Sequence, residues 1–148
     1  MIALACDHIG YELKLEIIKL LEEMNLTYQD FGTHNTDRCD YPFYAHQAAR
    51  AVAEGKCAGG ILICGSGVGM SIAANKVNRI RCVVCSEPYS AILSKKHNNT
   101  NMLAVGSRVV GSELAKMIVR GWLEAEYEGG RHQLRIDMIH NIESDLSR

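Results

Sequence analysis

A cysteine followed by alternating glycines is the segment of this sequence with the clearest chemical potential. Residues 59–64, GGILIC, have the composition of a buried strand, and glycine then occupies every second position through position 69. Such turns let backbone N–H groups converge on an anion, and the N-terminus of a following helix adds partial positive charge. The same charge favours the thiolate form of Cys64. The alternative is a tight strand-to-helix turn beside a buried cysteine that has no chemical role.

Three familiar motifs do not fit this segment. The spacing Gly-x-Gly-x-Gly differs from the dinucleotide-binding Gly-x-Gly-x-x-Gly, and it follows the third predicted strand rather than the first. No Gly-Lys-Ser/Thr follows, so a nucleoside triphosphate loop is excluded. Cysteine phosphatases place an arginine six positions after the thiol, where this chain has Met70. The interpretation that is left is a thiol that faces an oxyanion-binding turn. A thiol and such a turn together suit removal of a proton beside a carbonyl, because the turn stabilises the enediolate that forms.

Five polar residues outside this turn are also candidates. Asp7 and His8 follow the first predicted strand, where they either hold hydroxyl groups and an anion or cap a helix beside a surface histidine. Arg131 and Arg135 lie four residues apart on one helix face, which suits a phosphate clamp or, alternatively, a solvated surface. His97 falls at the end of another predicted helix, where a histidine often interacts only with the helix dipole.

The elements that must position these residues alternate along the chain. Short apolar runs predict strands near Ile2–Cys6, Thr27–Phe31, Gly60–Cys64, Arg81–Cys85 and Met102–Val105. Amphipathic runs and helix-boundary residues predict helices over about 13–24 and 42–54, after Gly69, from Ser86 to about 99, and over about 112–125 and 131–143.

This alternation predicts an α/β fold: a single-domain, Rossmann-like, three-layer αβα sandwich with a five-stranded parallel sheet. Ligands of such sheets bind outside the carboxyl ends of the strands. Asp7, Cys64, Ser86 and Arg108 all lie at or just after a predicted strand end. We therefore expect the functional site at this edge of the sheet.

Length, composition and charge exclude several classes of protein. The chain has 148 residues, 47% of them hydrophobic, which indicates an ordinary globular core rather than disorder. Sixteen basic and seventeen acidic residues give a net charge of −1, so no bulk field attracts nucleic acid or an anionic membrane. No apolar run approaches the roughly 18 residues of a membrane span, and the apolar start ends at Asp7, too early for a signal peptide. We expect a cytoplasmic protein with neither nucleic-acid nor membrane partners.

The six cysteines do not have the spacing of a metal site or a disulfide framework. Cys82 and Cys85 form a Cys-x-x-Cys pair, but they fall in a β-branched run that predicts a strand. Residues three apart on a strand point to opposite faces, so this pair is expected in the core. A redox function for the pair is therefore disfavoured.

The whole chain resembles the ribose-5-phosphate isomerase B family, part of the ribose/galactose-6-phosphate isomerase group. The resemblance runs in order through six segments: Cys6 to His8, Asp40 to Pro42, Gly59 to Asn75, Val83 to Ala91, His97 to Asn101 and Tyr127 to His132. It implies reversible conversion of an aldose phosphate to its ketose, ribose 5-phosphate to ribulose 5-phosphate, in the pentose phosphate pathway. It also implies that the reaction needs neither metal nor cofactor.

The resemblance further implies a role for each candidate residue. Cys64 is the base that moves a proton between C1 and C2, and His97 opens the sugar ring. Some family members use a carboxylate in place of the thiol, so this chain is similar to the cysteine branch. The remaining implied roles are enediolate binding by Ser66 and the backbone of Gly65, Gly67, Val68 and Gly69, hydroxyl binding by Asp7 and Asn98, and substrate binding, chiefly of the phosphate, by His8, Arg108, Arg131 and Arg135.

Two other functions stay open on the sequence alone. The first is isomerisation of a six-carbon substrate, allose 6-phosphate or galactose 6-phosphate, because pocket length is not visible in the sequence. The second is a non-catalytic sugar-phosphate sensor, although such a protein could dispense with Cys64 and His97, and both are present.

Chain direction predicts that the active site spans two subunits. The helix that starts at Ser86 begins at the same sheet edge as Cys64 and travels back about 15 Å over ten residues. His97 therefore reaches the opposite edge of its own sheet. We expect a homodimer with shared active sites, or a dimer of such dimers, in agreement with the resemblance. The predicted domain covers residues 1–148, with the last helix, about 131–143, completing the site or the interface.

Overall fold

The computed structural model describes residues 1–145, in which strands and helices alternate as the apolar periodicity predicts. Positions 146–148 of the predicted domain lie outside the described residues. The elements are β1 (Ile2–Cys6), α1 (Tyr11–Glu23), β2 (Tyr28–Asp30), α2 (Tyr41–Ala53), β3 (Gly59–Cys64), α3 (Val68–Ala74), β4 (Cys82–Val84), α4 (Pro88–Asn98), β5 (Met102–Gly106), α5 (Ser112–Glu124) and α6 (Arg131–Asp145).

The strands form one parallel sheet in the order β2-β1-β3-β5-β4. The three inner strands are buried along their whole length, which explains why they consist almost entirely of apolar residues. In the register, Cys6 pairs with Ile63 and Cys64 pairs with Gly106, so the carboxyl ends of all three inner strands meet at one edge. The predicted fold class is confirmed.

Each face of the sheet has its own hydrophobic core. One core combines branched side chains of the sheet with α1 and α5 and includes the buried Trp122. On the other face, α2 and α3 pack through small residues, among them Ala45, Ala48 and Ala49. Together the two cores make the three-layer sandwich. None of the helices in residues 1–145 is long and apolar enough to cross a membrane.

Two of the differences between the observed and the predicted boundaries have a structural cause. The outer strands β2 and β4 are three residues each, shorter than predicted, because each pairs with a neighbour on one side only. The third helix begins at Val68 rather than after Gly69, because Gly67, in the left-handed conformation with φ +78°, already provides the turn.

Cys82 and Cys85 pack into different cores, on opposite faces of the sheet, as predicted. Desolvation by burial raises the pKa of Cys82 to about 12 and that of Cys85 to about 11. Both thiols therefore stay protonated at neutral pH, and neither forms a disulfide. A redox function for this pair gains no support.

Candidate active site

Cys64 ends β3 and its side chain is held by the glycine turn that follows. The thiol is 5% exposed, and the Gly67 N–H donates a hydrogen bond to its Sγ at 3.1 Å. A side chain at Gly67 would be strained by the positive φ, and its Cβ would lie 2.9 Å from the backbone of Val105. The turn thus needs glycine at position 67, and it directs a backbone N–H donor at the Cys64 sulfur.

A cavity of about 450 Å³ opens above this turn at the carboxyl edge of the sheet. It contains six of the predicted site residues: Asp7, Cys64, Gly65, Ser66, Gly69 and Arg108. Ile9, Tyr41 and Val109 complete the lining. A thiol, a hydroxyl, a carboxylate and a guanidinium therefore share one concave site, which can bind a small polar anion beside a nucleophile.

Asp7 is buried, and its Oδ1 accepts the backbone N–H groups of Ile9 at 3.0 Å and Gly10 at 2.9 Å. The carboxylate therefore stabilises the turn before α1 and also lines the cavity, while its binding of sugar hydroxyls stays a prediction. Arg108 is positioned from β5, since its N–H donates to the Gly65 carbonyl at 3.0 Å. That bond ties the arginine to the turn that carries Cys64.

His8 lies beside the loop before α2 and is not among the residues that line the cavity. Its Nδ1 accepts the backbone N–H of Cys39 at 3.3 Å, and the Cys39 sulfur lies 3.8 Å from the same nitrogen. In the neutral ring the proton is therefore on Nε2, which leaves that nitrogen as a donor.

Tyr41 is a site residue that the sequence patterns did not indicate. It begins α2, and its ring covers Gly69 so closely that a Cβ there would lie 2.6 Å from Tyr41 Cζ. The only signal was its place in the segment Asp40 to Pro42, which matches the family. Its position in the cavity depends on packing between α2 and α3, which no local pattern encodes.

The other half of the predicted site lies at the opposite edge of the sheet. His97 is near the end of α4, and the carbonyl oxygen of Asn98 accepts the Nε of Arg81, the residue before β4, at 3.0 Å. This contact places the end of α4 where the fourth strand begins. His97, Asn98, Arg131 and Arg135 do not line the cavity around Cys64. The structure therefore divides the predicted site residues of one chain into two groups.

His97 belongs to a cluster that we call the histidine cluster: His97, Glu128 and His132. The two imidazole rings stack with centroids 4.4 Å apart and planes 10° apart. The Nε2 atoms of His97 and His132 lie 3.7 and 3.8 Å from the Glu128 carboxylate. The sequence patterns indicated only His97 of this cluster. Glu128 and His132 reach it through a long-range contact between the end of α4 and the start of α6, which a local pattern does not show.

His132 is surrounded by charged groups. Burial chiefly lowers the pKa of His132, and the positive charges of His97, Arg131 and Arg135 lower it further, while Glu128 raises it. Arg131 and Arg135 are exposed on the first turns of α6. They thus form a positive patch next to the histidine cluster rather than next to Cys64.

Within residues 1–145, the histidine cluster is a group whose ligand atoms, all within 4.8 Å of one another, could approach a metal ion. A metal binds along the nitrogen lone pair, in the plane of the imidazole ring. The nearly parallel rings of His97 and His132 direct their lone pairs side by side rather than to a common point. Coordination would require one ring to rotate, so the arrangement fits proton transfer better than metal binding.

Comparisons with known proteins identify the family of this chain. The sequence model of the family described as Ribose/Galactose Isomerase matches residues 2–139. The chain is 63% identical to ribose-5-phosphate isomerase B of Escherichia coli, over 96% of this chain and 95% of that protein. It is 42% identical to D-erythrulose-4-phosphate isomerase of Pectobacterium atrosepticum, over 93% and 91% of the two chains.

Superposition on a solved structure supports both the family and the fold. Ribose-5-phosphate isomerase B of Clostridium thermocellum superposes with a TM-score of 0.96 at 48% sequence identity, covering 98% of each chain. The match spans both groups of site residues, from Asp7 to Arg135. The chain therefore belongs to the ribose/galactose isomerase family.

Proposed function

We propose that this protein interconverts D-ribose 5-phosphate and D-ribulose 5-phosphate through an enediolate. The observation that carries the proposal is Cys64, whose sulfur accepts a backbone N–H at 3.1 Å inside a cavity that also holds Ser66 and Arg108. The two curated relatives compared above are named for different sugar phosphates. The chain is 63% identical to the ribose-5-phosphate isomerase and 42% identical to the erythrulose-4-phosphate isomerase, which favours ribose 5-phosphate as the substrate.

Proton transfer is assigned to Cys64. In the open-chain aldose, the thiolate removes the proton from C2, and the two oxygens share the charge of the enediolate. The O2 hydroxyl proton moves to O1, and the thiol returns its proton to C1 as the C2=O bond of the ketose forms. Ser66 and the backbone N–H groups of the glycine turn stabilise that charge as it develops. The turn is suited to this task because its glycines leave the backbone accessible to ligand atoms.

Substrate binding is assigned to the polar residues at both sheet edges. Asp7 and Asn98 contact sugar hydroxyls, and Arg108 approaches the phosphate from the cavity side. The exposed pair of Arg131 and Arg135 provides two guanidinium groups that suit bidentate phosphate binding. His8, with Nε2 available as a donor, adds a further contact to the substrate.

A complete site then requires two chains. His97 lies at the opposite sheet edge from Cys64, and among the residues lining the cavity there is no histidine to open a ring. Large apolar side chains are exposed on α2, α3, β4 and α4, and we treat them as one contact surface: Phe43, Val68, Ile72, Val84 and Tyr89. We propose that a two-fold partner covers this surface and presents its His97, Asn98 and arginines to Cys64, in a dimer or a dimer of dimers.

The direct test is an isomerase assay on ribose 5-phosphate, allose 6-phosphate and galactose 6-phosphate, compared by kcat/KM. We expect ribose 5-phosphate to give the highest value. A higher value for either six-carbon substrate would contradict the proposed substrate, and no turnover of any of them would contradict the isomerase function. The six unpaired cysteines support a reducing compartment, and we place the enzyme in the cytoplasm.

A further inference from the structure

Ribose 5-phosphate closes into a furanose, so isomerisation requires a ring-opening step before Cys64 acts. In that step the O1 hydroxyl gives its proton to a base, and its electron pair forms the C1=O bond. The C1–O4 bond breaks, its electrons stay on O4, and O4 takes a proton. One imidazole can accept the first proton and donate the second, if it is held in place and its cationic form is stabilised in between.

His97 alone does not meet these conditions, because it is half-exposed at the end of a helix. The ring of His132 supplies the first condition. It is 7% exposed, it stacks on His97 at 4.4 Å, and its backbone N–H donates to the Gly129 carbonyl at 3.1 Å at the start of α6. A buried ring stacked on an exposed one restricts the orientation of the exposed ring.

Glu128 supplies the second condition. Its carboxylate lies 3.7 Å from the His97 Nε2, where it stabilises an imidazolium. The segment that carries Glu128 is tied to α4, since its backbone N–H donates to the carbonyl of Lys96 at 3.1 Å. The carboxylate is thus held directly against the helix end that carries the acid–base residue.

We propose that Glu128 and His132 are positioning residues for ring opening, His132 fixing the plane of the His97 ring and Glu128 stabilising its protonated form. This inference rests on the proposed function. It assigns a role to two residues that belong to neither the Cys64 cavity nor the positive patch of Arg131 and Arg135.

The test compares two substrates on each enzyme preparation. D-erythrose 4-phosphate cannot close into a furanose, because its O4 is esterified, so it needs the proton transfer but not the ring opening. The measured quantity is the ratio of kcat/KM for ribose 5-phosphate to that for erythrose 4-phosphate. Because both values come from the same preparation, the ratio does not depend on the fraction of protein that is folded.

The variants separate the two roles. H97A serves as the reference for lost ring opening and should lower the ratio about 100-fold or more. E128Q should lower it about two- to fivefold, as expected for loss of a partly exposed charge partner. H132A should lower it about two- to tenfold, and H132F, which keeps the stacked ring, should restore it to within about twofold. The matched control is E126Q, the same charge change two residues away on the same segment, and it should leave the ratio unchanged.

Equal losses on both substrates for E128Q and H132A would show that these residues only support the fold, and would overturn the inference. An unchanged ratio for H97A in an active enzyme would overturn it as well, while leaving the isomerase function intact. A wild-type protein inactive on both substrates would instead contradict the proposed function. A second readout, enzyme-catalysed exchange between the two ribose 5-phosphate anomers by NMR in a C64A background, must rank the same variants in the same order; a different order would count against the proposal.

Discussion

At the residue scale, the environment of Cys64 separates it from the other cysteines. Cys6, Cys82 and Cys85 lie in the cores, where desolvation raises the pKa of each thiol to between about 11 and about 12. Cys64 is equally buried by area, but its sulfur faces a polar cavity and accepts a backbone N–H. The raised pKa values keep the three core thiols protonated at neutral pH, whereas the polar cavity and the backbone donor at Cys64 suit its proposed role as the base.

C64A should abolish isomerisation while substrate still binds, because the thiolate supplies the proton transfer and affinity comes mainly from phosphate contacts. The measurement is kcat in the isomerase assay, together with Kd by calorimetry. General base catalysis raises a reaction rate by roughly 10²–10⁴-fold. A C64A variant that keeps more than about a tenth of wild-type kcat would therefore show that the thiol is not the base. C57A, at a buried cysteine outside the cavity, is the control and should keep kcat.

R131A and R135A should each raise KM for the phosphorylated sugar by roughly 10- to 150-fold, the range that corresponds to loss of one charge-assisted hydrogen bond. The reason is that both arginines are exposed on one face of α6, where their guanidinium groups suit bidentate binding of the phosphate. Activity on a weak unphosphorylated analogue should change little. R120A, an exposed arginine on α5, is the matched control and should leave KM unchanged. Equal losses on both substrates would mean that the pair supports the fold and not phosphate binding.

At the scale of elements, the turn between β3 and α3 connects backbone geometry to chemistry. G67A should lower both the melting temperature and kcat, because an alanine there is strained by about 1–2 kcal/mol and its Cβ contacts the backbone of β5. G55A is the matched control: Gly55 has nearly the same φ, +75°, but open space around its Cβ. It should lower the melting temperature alone. An unchanged kcat in folded G67A would show that the turn geometry does not matter for catalysis.

The order of elements was predictable because each depends on local periodicity, and the buried strands β1 and β3 follow directly from their apolar runs. The carboxyl-edge location of Asp7 and Cys64 follows from the parallel sheet. What could not be predicted depends on tertiary contacts. Tyr41 enters the cavity because α2 packs over Gly69, and His132 meets His97 because α6 returns to the end of α4.

At the scale of the whole molecule, one chain carries the proposed site residues in two groups, a Cys64 half and a His97 half, at opposite edges of its sheet. The Cys64 half is concave and flanked by exposed apolar side chains such as Val68 and Tyr89. The His97 half lies next to the exposed Arg131 and Arg135 of α6, a helix that also exposes Leu134 and Met138. Isologous pairing of two chains would cover these apolar side chains and bring the Cys64 half of each chain to the His97 half of the other.

The most direct measurement of this shared site mixes two inactive proteins, C64A and H97A, under conditions that exchange subunits. If His97 acts across the interface, a heterodimer contains one intact site, with Cys64 from one chain and His97 from the other. Each heterodimer should then regain about half the activity of a wild-type dimer. Native mass spectrometry establishes that exchange has occurred. No recovery of activity in a sample with demonstrated heterodimers would place both residues of each site in the same chain and contradict the shared site.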